Sequence, residues 1–298
     1  MTTRPNLARP LIKPDEFQGQ MLLVGNLKMH VVLAGQEGAP LVVLLHGFPE
    51  FWYSWRHQIR ALAAAGFRVV APDMRGYNLT EKLPPYDPFA LAKDPVNLIR
   101  TLGYEKAYLI GHDWGGVVSW LTAAFYPEVI EKLMILNCPH PGVASDILSS
   151  FYLPQIAKSW YIFAFQLPRL PELLSSANNF RALEGGLKRG TPNGISKDEL
   201  VYFKEAWSQP GALHAGITYY RELLRKGSAL RRRDMTIRVP TRMIWGDPDF
   251  ALTKEAAERS KKYAPHLEID YIPNSGHFVQ QDRPDEVNQL ILAYLKGS

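Results

Sequence analysis

Cysteine is nearly absent: the 298 residues contain one, Cys138. An intramolecular disulfide framework is thereby excluded, and a reducing compartment, the cytoplasm, is the expectation. Cys138 also lacks the local signatures of cysteine enzymes and reads as a core thiol. Long apolar runs are missing too. The richest stretch, Phe151 to Leu170, is broken by Pro154, Lys158 and Pro168, which excludes a membrane span. Met1 to Gln20 holds Pro5, Pro10 and Pro14 but no apolar core of the signal-peptide kind. Charge of one sign is scarce: 34 Lys and Arg against 29 Asp and Glu leave +5. Outside Arg225-Lys226 and Arg231-Arg232-Arg233 the cations are scattered without an aromatic-basic stripe, so nucleic acid is not an expected partner. What is present, 46% hydrophobic and 21% charged, is globular material with enough chain for a large core plus an inserted piece.

Leu41-Val42-Val43-Leu44-Leu45 is a continuous apolar run of the kind buried on both faces of a parallel sheet. Two short strands around Gly25-Asn26 precede it, and further strands are predicted over 67–71, 107–110, 132–136, 241–245 and 267–272. Helices are predicted over 55–65, 93–102, 116–126, 254–263 and 284–295. That alternation implies an α/β fold with a doubly wound, mostly parallel sheet. It stops between Pro139 and about Arg233, where helical, aromatic-rich pieces are separated by Pro168, Pro171, Gly185-Gly186, Gly190, Pro192, Gly194 and Pro210-Gly211. The expected organisation is a core of residues 1–139 and 234–298 with a helical cap, residues 140–233, inserted in it.

One junction carries the chemistry. The apolar Tyr108-Leu109-Ile110 runs into Gly111-His112-Asp113-Trp114-Gly115-Gly116, and a helix follows. Small residues two positions either side of Asp113 resemble the strained strand-to-helix elbow of the α/β-hydrolases, where side chains at 111 or 115 would collide as the turn closes. Esterases and lipases carry serine at the apex. A carboxylate there is suited to displacing a leaving group from saturated carbon, leaving an alkyl ester that must be hydrolysed.

In that fold the order along the chain is nucleophile, acid, histidine. Asp113, Asp249 and His277 satisfy it, the last two on loops after later strands, with Asp247 a competitor for the acid role. His277 with its carboxylate would activate the water. His30, His57, His112, His140, His214 and His266 read as surface or satisfied core residues. The backbone N–H groups of Trp114 and Phe48 are candidates for the oxyanion hole, the second in His46-Gly47-Phe48-Pro49 after the strand at 41–45.

Together with Asp73-Met74-Arg75-Gly76-Tyr77, Trp245-Gly246-Asp247-Pro248-Asp249 and Ser275-Gly276-His277-Phe278, these motifs make the chain resemble an α/β-hydrolase-fold epoxide hydrolase of the soluble type, from about Met21 to Leu295. The resemblance implies a reaction of epoxide with water to a vicinal diol, without metal or organic cofactor. It assigns Tyr161 and Tyr220 as the pair that holds the epoxide oxygen, with Tyr219 and Tyr152 as the nearest misassignments. Phe48, Trp114, Phe163 and Phe165 would form an apolar pocket for lipophilic epoxides, the two cap phenylalanines having a purely core position as their alternative. Asn78, where relatives often have glycine, and Leu83 within Lys82-Leu83-Pro84 depart from the family pattern. A haloalkane or haloacid dehalogenase shares the aspartate nucleophile and is the rival reading; a non-catalytic small-molecule receptor on this fold is a third. The expected state is monomer or homodimer.

Overall fold

The structure, a computed structural model, describes residues 10–297. The reading of Met1 to Gln20 as free of a signal-type core therefore lies, for residues 1–9, outside the described residues. Among the described residues eight strands form one sheet: β1 (Gln18–Val24), β2 (Leu27–Ala34), β3 (Leu41–Leu45), β4 (Arg68–Pro72), β5 (Ala107–His112), β6 (Ile130–Leu136), β7 (Thr241–Asp247) and β8 (Glu268–Pro273). Their spatial order is β1-β2-β4-β3-β5-β6-β7-β8. β2 pairs antiparallel with both β1 and β4, and the other neighbours are parallel. The expected doubly wound sheet is thus present.

β3 is buried along its whole length, and each such Val or Leu contributes about 1.5–3 kcal/mol through burial. The chain leaves β3 for β4 on one side and returns through β5 on the other, so strand order reverses between β3 and β5. At such a switch point the carboxyl ends of neighbouring strands diverge and leave a crevice. The loop His46–Glu50 follows β3 there and Asp113 follows β5.

Three helices depart from expectation; the one expected over 254–263 is α-helical only over Lys254–Arg259 and ends in a 3-10 turn at Ser260–Lys262. The second core helix runs Pro88–Thr101, beginning five residues before Lys93. Asp87 caps it by accepting from the backbone N–H of Phe89 and Ala90, and Pro88 takes the first position, where a missing N–H is harmless. Pro95 is accommodated inside it. The elbow helix, Trp114–Phe125, begins directly after the nucleophile candidate.

Between β6 and β7 lie Val143–Ser149, Leu153–Lys158, Trp160–Ala164, Leu170–Gly190, Lys197–Ser208 and Ala212–Arg231, all helical. Gly185-Gly186 does not separate two of them but sits inside Leu170–Gly190, and Pro171 opens that helix. Its break falls at Ala177–Phe180, where Asn178, Asn179 and Phe180 have φ of 50°, 56° and 62°. Asparagine tolerates that left-handed region, whereas a glycine pair in a helix weakens it without ending it. Among the described residues no helix is long and apolar enough to cross a membrane.

Candidate active site

Asp113 has φ 50° and ψ −118°, a conformation whose strain is on the order of 1–3 kcal/mol for a residue with a side chain. Glycines let the turn close. A Cβ on Gly111 would stand 2.2 Å from the Gly115 oxygen, and one on Gly115 2.1 Å from the Leu45 oxygen. Gly115 is thus required by the end of β3, a neighbour that the local pattern does not reveal. A Cβ on Gly47 would fall 2.4 Å from Asp113 Cβ. This close approach lets the Phe48 N–H donate to Asp113 Oδ1 at 2.8 Å.

His277 bridges two carboxylates. Its Nδ1 lies 2.6 Å from Asp249 Oδ2 and its Nε2 3.5 Å from Asp113 Oδ2. Asp247 faces the other way and pairs with Lys254 at 2.8 Å on the partly exposed surface. Burial on its own would lower the His277 pKa, but Asp249 and Asp113 outweigh it and raise it to about 10. Burial pushes both carboxyls up, and the imidazolium more than reverses this, leaving Asp113 and Asp249 below the usual aspartate value. The imidazole is therefore protonated at neutral pH while both carboxylates are intact.

The opposite wall comes from the helices between β6 and β7, the segment expected as a cap. Tyr161, on Trp160–Ala164, and Tyr220, on Ala212–Arg231, have ring centroids 5.9 Å apart. Both line one cavity of about 200 Å³ together with Asp113, Trp114, Phe163 and Leu224. Burial first, then the charge of Asp113, raises both phenol pKa values, so both remain protonated donors. Tyr219 points away and donates to the Arg75 oxygen at 2.6 Å. Tyr152 packs in a separate cluster with Val143 and Ile147. Of the four apolar residues expected around the substrate, Trp114 and Phe163 line this cavity, while Phe48 and Phe165 pack against Tyr220. Phe165 lies just past its helix and packs edge-on against Phe48 at 5.7 Å and Tyr220 at 5.0 Å, so both rings buttress Tyr220 from behind. Cys138 borders the cavity with its thiol raised well above the usual pKa by burial and by both aspartates, and it stays an unreactive thiol.

The sequence profile of the alpha/beta hydrolase fold matches residues 40–284. The chain belongs to the α/β-hydrolase fold family. Within it, the chain is 42% identical over 287 residues to the AB hydrolase superfamily protein YfhM of Bacillus subtilis (strain 168), covering 95% of this chain and 99% of that protein. It is 40% identical to mouse Epoxide hydrolase 4 over 91% of this chain and 77% of that one. A crystal structure of epoxide hydrolase VrEH1 from Vigna radiata superposes with a TM-score of 0.83 at 29% identity, covering 97% of this chain and 100% of that chain.

In this α/β-hydrolase-fold protein several supporting residues escaped the sequence reading. Asn137, at the end of β6, donates to Asp249 Oδ2 at 2.9 Å and accepts from the Gly246 N–H at 2.8 Å. The N–H groups of Ala251 and Leu252 donate to Asp249 Oδ1. Glu50, buried, accepts from the Gly47 N–H, Gln280 and Gln281 and lies 2.7 Å from His112 Nδ1. His112 Nε2 in turn lies 2.9 Å from the His277 carbonyl oxygen. One carboxylate thereby links the loop after β3, the end of β5 and the helix Val279–Asp282 after β8. The signals were present, since Glu50 closes the His46–Glu50 motif and Asn137 ends a strand, but neither predicts its partner. Asn78 has φ 38°, a left-handed conformation that asparagine tolerates, and donates to Asp73. Among the described residues no group of three His, Cys, Asp or Glu is arranged to hold a metal ion.

Proposed function

We propose that the protein hydrolyses lipophilic epoxides to vicinal diols through an ester on Asp113. The observation that carries this is one cavity with Asp113 on its floor and the two protonated phenols of Tyr161 and Tyr220 on its cap wall. Asp113 Oδ2 attacks an epoxide carbon, the carbon–oxygen bond breaks, and the departing oxygen receives a proton from the phenol side. The Phe48 N–H already holds Oδ1, the atom that becomes the ester carbonyl oxygen.

Hydrolysis then needs a base. Esterification removes the Asp113 charge, one of the two that keep the His277 proton in place, so the imidazole pKa falls, that proton is released to restore the phenol that protonated the epoxide oxygen, and the neutral His277 can deprotonate water. Asp249 holds it in one tautomer. Water adds to the Asp113 carbonyl carbon, the oxyanion takes the N–H groups of Phe48 and Trp114, and collapse expels the diol, which takes its proton from His277. Each oxyanion donor is worth about 3 kcal/mol in the transition state. The relatives named epoxide hydrolases support the same reaction. So does Phe48, whose side chain offers no donor for halide, against the dehalogenase reading.

The test is a single turnover with styrene oxide in ¹⁸O-labelled water, reading diol and protein by mass. Unlabelled oxygen in the first diol and label in Asp113 is the expected outcome. Solvent oxygen in the first diol overturns the ester route, and halide release from haloalkanes without any diol moves the protein to the dehalogenases.

A further inference from the structure

The cap carries most of the exposed large apolar side chains among the described residues, concentrated between Leu148 and Leu174. Their place is specific. Leu148, Phe163 and Leu224 line the reaction cavity, yet 52%, 56% and 46% of each is exposed, so they form the rim of its mouth. Trp160, one turn before Phe163, is 68% exposed, and Phe151, three residues beyond Leu148, is 77% exposed. Phe151 also has φ 50°, strained backbone that holds an aromatic ring outward into water.

The helix that carries Leu224 continues from this rim into a run of cations, the last of which, Arg233, lies over the Phe89 ring. From Leu224 the chain runs through Arg225, Lys226, Arg231, Arg232 and Arg233 with no acidic residue between, and all five cations are exposed. Arg225 has a partner in Glu222 at 2.5 Å. Exposed aromatics beside a row of cations match a bilayer interface, where rings enter the acyl boundary and Lys or Arg meet anionic headgroups. A second copy would bring like charge to the same face, and nucleic acid gives the aromatic rim no apolar medium. We propose that the cap rim docks on an anionic lipid surface, so that the cavity mouth opens into the interface. That docking stands apart from the epoxide reading; only delivery of lipophilic epoxide from the lipid rests on it.

The experiment uses the whole protein with vesicles of phosphatidylcholine, with and without phosphatidylglycerol. Sedimentation and tryptophan quenching by lipids brominated in their acyl chains are the readouts. Trp160 is the one exposed tryptophan of seven, so quenching reports its insertion and should vanish in Trp160→Phe. Binding is expected only with phosphatidylglycerol. Lys226→Gln with Arg232→Gln should weaken it about twenty-five-fold, at roughly fivefold per surface cation. Phe151→Ser with Trp160→Ser should abolish it while the reaction with dissolved styrene oxide continues, which excludes misfolding as the cause. Vesicle binding needs no turnover, so an inactive protein that binds would sink the epoxide reading alone. The docking proposal is overturned by absence of binding to the anionic vesicles, by binding without quenching, by preferential binding to duplex DNA, or by a dimer that the Phe151→Ser, Trp160→Ser protein no longer forms.

Discussion

Asp113, Asp249 and His277 hang from the ends of β5 and β7 and the loop after β8, where hydrogen bonds from Phe48, Asn137, Ala251 and Leu252 fix Asp113 Oδ1 and both Asp249 oxygens. Tyr161 and Tyr220 come from cap helices and are held chiefly by ring edges, Tyr220 against Trp114 at 4.9 Å and Phe165 at 5.0 Å. A directed hydrogen bond weakens steeply with misalignment, whereas an edge-on ring contact tolerates several tenths of an ångström. The core wall should therefore respond to substitution abruptly and the cap wall by degrees.

Asp113→Ala is expected to break the core wall outright, lowering diol formation by about 10⁶-fold, as loss of a nucleophile does in other covalent hydrolases. Intact mass should then show no adduct. His277→Gln should slow turnover about 10²–10⁴-fold while ester accumulates, because only general-base assistance to the second step is lost. Mass shifted by one epoxide checks this, and an unmodified protein would sink the assignment. On the cap wall, Tyr161→Phe or Tyr220→Phe alone should slow alkylation about tenfold, since one phenol still donates. The double variant should slow it by about 10²–10³. Equal effects of single and double changes, measured by stopped-flow quenching, would erase the contrast between the walls.

The smallest expected effect is on stability. The His277 pKa in the folded protein, about 10, lies above the ordinary 6.5. Its protonation therefore stabilises the fold fully below about pH 6.5, and that contribution is lost as pH rises toward and through 10. Melting temperature should fall between pH 7 and pH 10, and His277→Gln should flatten that slope.

The elbow and its order of partners are legible in the chain because the constraint is local: a turn at Asp113 needs Gly111, and the later loops follow strands of clear apolar character. The choice of Asp249 over Asp247 was not legible. It depends on which of two residues, separated by Pro248, faces the interior after β7, and only Asn137 and the N–H groups of Ala251 and Leu252 decide that. Whether Phe165 faces the pocket or the core was left open for the same reason, since its side depends on how a five-residue helix meets a twenty-residue one. The start of the helix at Pro88 was readable from Asp87-Pro88, a capping carboxylate followed by proline at the first helical position. Glu50 joined to His112 could not be found at all from a separation of 62 residues.

Gly47 sets the tolerance of the whole site. With no room for a methyl group between it and Asp113, the loop that holds Oδ1 and the residue that supplies it are gauged against each other. Any change in the bulk at either position must be matched at the other, so the two segments can drift in sequence only as a pair. A lineage could exchange its cap, and with it its choice of substrate, many times while this gap of one methyl stayed the same.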